Sequence, residues 1–236
     1  MIQDPGNLRK GMQVISVIPQ QELPARLADL RDPPKQLYVR GNRDCLDMPS
    51  VAIVGSRACS HYGSQIARVW AAALASQGIV IVSGLARGID GAAHRGALEG
   101  GGRTVGVLGC GIDRDYPAAN SDLAKEIETT GAVISEYEPG IAPAPWRFPA
   151  RNRIIAGLAD VTLVIEARER SGSLITAEFA IEMARPVLVV PGDISENTSG
   201  SNGLLRERRA SVVLAPADVI GWLESLHALS EYEESP

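Results

Sequence analysis

The sequence predicts an α/β fold in which a mainly parallel, doubly wound sheet carries helices on both faces. Short apolar runs that end in glycine alternate with helical stretches along the chain, which is typical of a parallel sheet built from strand-helix-strand units. The run VAIVG is apolar throughout, as expected of a parallel strand buried on both faces. The carboxyl ends of parallel strands share one edge of the sheet, so we expect ligands to bind there.

Residues 1–50 are predicted to form a lead-in that packs on the core. VISVIP indicates a strand, PARLADL a short helix, and DPPKQLYVRGN a turn followed by a strand. Because proline cannot donate to a strand ladder, we expect this second strand at an edge of the sheet.

Residues 51–227 are predicted to form the main domain. VAIVG gives its first buried strand, and SQIARVWAAALASQG gives a helix that stops at Gly78. The unit then repeats: further strands are predicted in IVIVSG, TVGVLG, AVISEY, ADVTLVIEA, PVLVVPG and SVVLA, and further helices in GAAHRGALEG, SDLAKEIETTG and PADVIGWLESLHAL. Residues 228–236 are expected to be an acidic, mobile tail.

Composition excludes several classes of protein. A net charge of -5 argues against a protein that coats nucleic acid with its whole surface, but it permits a local basic groove. No run of about 18 apolar residues is present, so no membrane span is expected. The N-terminus lacks the apolar centre of a signal peptide, which favours a cytoplasmic location. The cysteines and histidines are dispersed, so we expect no metal site, no cofactor and no disulfide framework.

The first candidate loop is Gly55-Ser56-Arg57, directly after the strand VAIVG. Glycine permits a sharp turn, serine can donate to an anion, and the next helix would aim its N-terminus at a phosphate. The alternative is a tight turn with an exposed arginine. The loop is neither G-x-G-x-x-G nor a P-loop, so a dinucleotide or ATP site is poorly supported.

The next two loops carry Asp90, His94 and Cys110. Asp90 is expected to cap the helix that it precedes, or to pair with His94 four residues later. A catalytic Asp-His pair is less favoured, because no nucleophile is placed beside it. Cys110 lies between glycines and is interpreted as a small packing residue.

The segment between Glu138 and Asp160 contains no acidic residue, but it contains several arginines with aromatic residues between them. Cations that follow phosphates and rings that stack on bases suit single-stranded nucleic acid. The alternative is that the aromatic rings fill the core beneath a proline-rich loop. Farther on, Ser171-Gly172-Ser173 at a helix start offers donors to another phosphate. The basic and aromatic residues of the segment are Trp146, Arg147, Phe148, Arg151 and Arg153.

With these residues, the chain resembles the DprA/Smf family (DNA-processing protein A). The resemblance covers about residues 15–215 and is carried, in family order, by VAIVGSR, IVSGLARGIDGAAHRGAL, FPARNRIIAGL and SGSLITAEFA, among other strings. It implies an extended Rossmann-like domain that forms a homodimer, binds single-stranded DNA and helps load the RecA recombinase during natural transformation, without enzymatic turnover. The DNA-binding residues that it implies are Gly55, Ser56, Arg57, Arg147, Phe148, Arg151, Asn152, Arg153, Ser171, Gly172 and Ser173.

The sequence departs from the family at Pro145, where many relatives have a lysine three residues before the phenylalanine. Arg147 or Trp146 would then have to substitute for that lysine, or affinity would be lower. Relatives often carry an N-terminal helical domain and a C-terminal winged helix, and we expect neither within these 236 residues.

Two other functions remain open at this point. One is a nucleotide phosphoribohydrolase of the LOG type, since Ser171-Gly172-Ser173, Thr176 and Glu178 loosely resemble its P-G-G-x-G-T-x-x-E loop. Glu178 would be its catalytic carboxylate, but the Pro-Gly-Gly is missing and Glu178 suits an exposed helical position equally well. The other is a pure nucleotide sensor domain.

Overall fold

The structure, a computed structural model, describes residues 14–233, with side chains through residue 228. The described residues form one nine-stranded sheet. Its strands are β1 (Ile15–Pro19), β2 (Gln36–Gly41), β3 (Ser50–Val54), β4 (Val80–Ser83), β5 (Thr104–Val107), β6 (Ala132–Ser135), β7 (Val161–Val164), β8 (Val187–Val189) and β9 (Ser211–Val212). Each lies in a segment where the sequence predicts a strand.

The strand order is β1-β2-β6-β5-β4-β3-β7-β8-β9. All neighbours from β6 to β9 pair in parallel, whereas β1 and β2, and β2 and β6, pair antiparallel. The expectation of an edge position for the strand in DPPKQLYVRGN is therefore wrong. The prolines of this segment precede the first residue of β2, Gln36, so they leave its ladder donors intact and β1 takes the edge instead.

Helices cover both faces of the sheet. They are α1 (Ala25–Ala28), α2 (His61–Ala75), α3 (Ile89–Glu99), α4 (Ser121–Thr130), α5 (Arg147–Leu158), α6 (Gly172–Glu182), α7 (Ser199–Arg206) and α8 (Pro216–Glu233). Helix α8 extends into the segment predicted as a tail, and residues 234–236 of that segment lie outside the described residues. So do residues 1–13 of the predicted lead-in.

Alternate residues of each parallel strand enter two different cores. In β3, Ala52 and Val54 pack with α1, α5, α6 and α7, whereas Val51 and Ile53 pack with α2, α3 and α8. A third cluster, around Leu123 and Ile127, packs α4 against the sheet. Because both faces of the strands are buried, their sequences are mostly apolar on both faces, and the predicted α/β fold is confirmed. The buried polar exceptions in β3 to β8 are Ser50, Ser83, Thr104, Ser135 and Thr162.

The sheet changes direction at β3. From β3 the chain builds outward through β4, β5 and β6, then returns to β7 on the other side of β3. The loops after β3 and β7 thus leave the sheet edge in opposite directions and open a crevice between them. In open α/β sheets such a switch point is where ligands bind. None of the helices in residues 14–233 has the length and apolarity needed to cross a bilayer.

Candidate functional site

A groove of about 890 Å³ opens at this switch point, and we call it the switch-point groove. The loop after β3 and the loop after β7 form two of its walls, and the start of α5 forms another. The predicted site residues that line it are Gly55, Ser56, Arg57, Phe148, Arg151, Asn152, Ser171, Gly172 and Ser173. Sequence segments separated by more than 110 residues therefore meet at one place.

Arg57 and two aromatic rings form one side of the groove. The guanidinium carbon of Arg57 lies 5.5 Å from the centre of the Phe148 ring. The Phe148 and Tyr116 rings stack with centres 5.3 Å apart and planes inclined by 26°. Phe148 is half-buried over Gly109, whereas Tyr116 is 43% exposed. Phe148 thus anchors the wall, and Tyr116, which the sequence analysis did not identify as a site residue, presents a ring surface to solvent.

Arg151 is a buried clamp at the floor of the groove. Its side chain is 4% exposed, and one nitrogen, Nη1, donates to the carbonyl of Gly84 at 2.7 Å and to that of Val107. A side chain at Gly84 would collide with this guanidinium group, so the loop after β4 needs glycine there. Burial lowers the pKa of Arg151 to about 10, although the negative charge of Asp90 acts in the opposite direction and raises it.

Asn152 connects this clamp to the loop after β7. Its Oδ1 accepts a hydrogen bond from Arg151 Nε at 3.1 Å, and its Nδ2 donates to the carbonyl of Gly172 at 3.0 Å. Gly172 begins α6, whose N-cap Ser171 accepts from the backbone N–H of Ser173. The first turn of a helix has N–H groups without intrahelical partners. Asn152 therefore holds in place the start of α6, whose free N–H groups can bind an anion, in the same groove as Arg57.

Two of the predicted cations point elsewhere. Arg153 donates to both carboxylate oxygens of Glu136 at 2.8 and 2.7 Å and lies 3.4 Å from Asp32, so it does not face Arg57 across the groove. Arg147 stacks over the rings of Trp146 and Tyr137 and donates to a backbone carbonyl. Pro145 lines the groove, whereas Arg147 does not.

Sequence reasoning missed two other cations, Arg168 and Arg170, which are exposed and line the groove. Arg168 donates to Asn197 at 2.7 Å and pairs with Glu196 at 3.3 Å. None of the described carboxylates forms an ion pair with Arg170. Their sequence signal was available, because both arginines stand between a buried strand and the Ser171 helix start.

The helix start after Gly55-Ser56-Arg57 is already occupied. Glu166 is 4% exposed, and its carboxylate accepts from the backbone N–H and from the hydroxyl of Ser60, the N-cap of α2. A Cβ at Gly63 would collide with that carboxylate. The side chain of Glu166 therefore takes the place of the phosphate that was expected at the start of α2. Arg57 and Ser56, in the same loop, remain candidates for DNA contact.

Asp90 and His94 do not pair as the sequence suggested. The N-cap of α3 is Gly88, and Asp90 lies inside the first turn, where its carboxylate accepts from the backbone of Gly84 at 3.2 Å. Burial raises the pKa of Asp90, against the attraction of Arg151. Cys110 is fully buried, as expected for a packing residue, and burial raises its pKa.

His94 is fully buried under the loop after β4. The hydroxyl group of Thr104 donates its hydrogen bond to the carbonyl of Ile81. The Thr104 oxygen therefore accepts from His94 Nδ1, at 2.7 Å. Its Nε2 then accepts from the backbone N–H of Leu85 at 3.3 Å. Burial lowers the pKa of His94 to about 3. The ring is a neutral structural support for this loop.

The structure does not bring the residues required by the phosphoribohydrolase hypothesis together in the groove. Glu178 does not line the groove; it accepts from Arg209 Nη1 at 2.9 Å on the outer face of α6. The carboxyl groups that line the groove belong to Asp90, Glu169 and Glu196. Among residues 14–233, no group of three His, Cys, Asp or Glu side chains is placed to hold a metal ion.

Comparison with known proteins gives one consistent family. The model of the family described as DNA recombination-mediator protein A matches residues 14–224. DNA processing protein DprA of Streptococcus pneumoniae is 46% identical over 201 residues, covering 85% of this chain and 71% of that protein. Protein Smf of Escherichia coli is 40% identical over 214 residues, and the match spans 57% of its length.

Two solved structures share the fold. The X-ray structure of DprA from Streptococcus pneumoniae has a TM-score of 0.83 and 44% identity, covering 89% of this chain and 74% of that one. A structure of DNA processing protein A from Helicobacter pylori, concerned with its single-stranded DNA binding mode, has a TM-score of 0.82 and 35% identity. It covers 89% of this chain and 96% of that one.

Proposed function

This chain belongs to the DNA recombination-mediator protein A family, the DprA/Smf proteins, and from this we propose that it binds single-stranded DNA in the switch-point groove. The observation that carries the proposal is the side-by-side placement of exposed Arg57 and the Phe148–Tyr116 stack at the sheet's switch point. A cation beside an exposed ring suits a phosphate and its neighbouring base. The single-stranded DNA binding of the Helicobacter pylori relative supports the same ligand class.

Phosphates would be held from two sides of the groove. Arg57 stands on the β3 side, and Arg168 and Arg170 stand on the β7 side next to the start of α6. A Cβ at Gly172 would meet open space, so the groove reaches the helix start itself. Arginine forks and helix N-termini both recognise phosphate oxygens.

Arg151, Asn152 and Arg153 take a supporting part in this proposal. The guanidinium groups of Arg151 and Arg153 are engaged by backbone carbonyls and by Glu136, respectively. We propose that Arg151 and Asn152 hold the loops on which the DNA-contacting groups stand, and that Arg153 anchors α5 to the segment after β6. Arg147 extends the basic surface beside the groove, together with exposed Trp146.

Electrostatic attraction in the groove would be modest. Four arginines line it, including buried Arg151, against the carboxyl groups of Asp90, Glu169 and Glu196. Contact with about three to five phosphates predicts a slope of log K against log salt of roughly -2 to -4 for a single strand. Base stacking on Tyr116 would then supply part of the affinity, at about 1–3 kcal/mol per base.

The wider role that we propose is the one that the resemblance to the DprA/Smf family implies. The chain would act in the cytoplasm as a homodimer that protects incoming single-stranded DNA, passes it to the RecA recombinase and so serves natural transformation. It would do so without enzymatic turnover, because the carboxylate required by the phosphoribohydrolase alternative, Glu178, is paired with Arg209 away from the groove.

Binding of a dT oligonucleotide tests the proposal. Arg57→Ala should weaken binding roughly tenfold, the value of one charge-assisted contact. Arg206→Ala, an exposed arginine at the end of α7 and outside the groove, is the matched control and should bind like wild type. Equal affinity of wild type and Arg57→Ala would show that the groove is not the DNA site. Release of free base from nucleoside monophosphates, lost in Glu178→Gln, would favour the enzyme instead.

A further inference from the structure

A second groove, of about 440 Å³, lies on the other side of the loop that follows β4. Arg68 from α2, Arg87 from the loop and Arg95 from α3 line it. No acidic and no aromatic residue of the described chain lines it. It therefore carries more net positive charge than the switch-point groove, in half the volume.

The two grooves share one thin wall. Ala86 lines the switch-point groove and Gly88 lines the second groove. Gly88, with φ of 75°, packs so closely on the backbone of Ser56 and Arg57 that any side chain there would collide with it. The backbone N–H of Ile89 donates to the carbonyl of Ser56 at 3.2 Å. This loop therefore lies between Arg57 and the second groove, and its residue Arg87 lines that groove.

The cations of the second groove are available to a ligand. Arg87 and Arg95 are exposed, and neither forms an ion pair with a carboxylate in residues 14–228. Arg95 donates to the carbonyl of Gly91 at 3.2 Å, which holds its guanidinium group over the groove. Arg68 is the partial exception, because it pairs with exposed Glu99.

The loop between the grooves is also held in place. Buried Asn120 donates from Nδ2 to the carbonyl of Leu85 at 2.8 Å and to that of Ala86 at 3.1 Å. Little ordering of the Arg87 backbone is therefore needed on binding, and preorganised groups bind at lower entropic cost.

We propose that the second groove binds the sugar-phosphate backbone of the same DNA strand after it leaves the switch-point groove over Arg87. The inference rests on the proposed function and extends it to the path of the strand. A cationic groove without aromatic rings suits phosphates, with the bases turned to solvent. We assign about two phosphates to it, one for Arg87 and one for Arg95.

Two oligonucleotide lengths test this path. A dT strand of about 5 nucleotides should fill the switch-point groove alone, and one of about 16 should reach both grooves. The double variant Arg87→Gln/Arg95→Gln should bind the short strand within twofold of wild type. It should bind the long strand at least tenfold more weakly, with a salt slope less steep by about 1.4, at 0.7 per phosphate. Arg57→Ala should weaken both lengths.

The outcomes separate the two proposals. If the double variant binds the long strand like wild type, the second groove is not part of the DNA path. An acidic protein would then be the alternative ligand of this groove. If it loses both lengths equally, Arg87 and Arg95 act in the first groove and the assignment is overturned. If wild type binds neither length, the proposed function itself fails. If the double variant does not fold, the exposed-site variant Arg95→Gln allows the same comparison of the two strand lengths. If free dTMP displaces the short strand but not the long strand, the second groove binds a continuous strand and not a single nucleotide.

Discussion

Replacing Arg151 and Arg57 by methionine separates a positioning residue from a contact residue. Both are arginines of the same groove, but Arg151 is 4% exposed and bonded to two backbone carbonyls, whereas Arg57 is exposed over Phe148. Methionine keeps most of the side-chain volume and removes the charge. The two variants therefore differ mainly in where the lost guanidinium group stood.

The magnitude follows from what Arg151 leaves behind. The carbonyls of Gly84 and Val107 lose their donor, at about 2 kcal/mol each. Asp90 is buried nearby and loses the attraction of the Arg151 charge, but the lowered pKa of Arg151 already includes this attraction. The guanidinium's own burial, which lowers its pKa from 12.5 to about 10, is relieved and returns about 3 kcal/mol. Arg151→Met should therefore lower the free energy of unfolding by about 1 kcal/mol, and Arg57→Met by less than about 0.5 kcal/mol.

Urea unfolding and DNA binding by the same two proteins provide the test. At a temperature where Arg151→Met is folded, its affinity for a dT strand should fall while its salt slope stays at the wild-type value. Arg57→Met should keep wild-type stability and lose about 0.7 from the slope, the share of one phosphate. If Arg151→Met keeps full stability and loses the same 0.7, Arg151 contacts phosphate directly and the clamp interpretation is wrong.

Three further predictions address the stacking wall, acid stability and the outer face of α6. Tyr116→Ala should weaken dT binding by about 1–3 kcal/mol while Tyr116→Phe binds normally; equal loss in both variants would show that the hydroxyl matters instead of the ring. Because burial lowers the pKa of His94 to about 3, its contribution to stability is complete above about pH 6.5. It is lost towards pH 3, at about 1.4 kcal/mol per pH unit. Comparison of the wild-type pH profile with that of His94→Gln should show this slope, and identical profiles would contradict a neutral ring that accepts from Leu85. Glu178→Gln removes an exposed pair with Arg209, so stability should fall by at most about 1 kcal/mol with unchanged dT affinity; a large loss of affinity would place Glu178 in the site.

The fold could be predicted because its signal is local. A strand such as β3, buried on both faces, is apolar from Val51 to Val54 and is followed by a turn at Gly55. The position of β2 could not be predicted, because two prolines before a strand leave its ladder untouched and say nothing about its neighbours. Sheet order depends on pairings such as Val51 with Val161, which are distant in sequence.

The candidate site could be predicted only as a set of segments. Glycine loops and a helix start predict an anion-binding site at one edge of the sheet. The partner of each charged side chain, however, is set by tertiary contacts. Arg151 and Arg153 look alike in sequence, yet one is held by backbone carbonyls and the other by Glu136. Glu166 lies 106 residues from the helix start that it caps, so no local pattern reveals that this start is occupied.

The central claim is that the switch-point groove binds the backbone of single-stranded DNA. Its most direct test is the affinity of wild type and Arg57→Ala for a dT oligonucleotide of about 5 nucleotides, measured across a range of salt concentrations. We predict a slope of log K against log salt of roughly -2 to -4 for wild type, less steep by about 0.7 in the variant. A slope that is the same in both proteins, or binding that salt does not weaken, would contradict the claim.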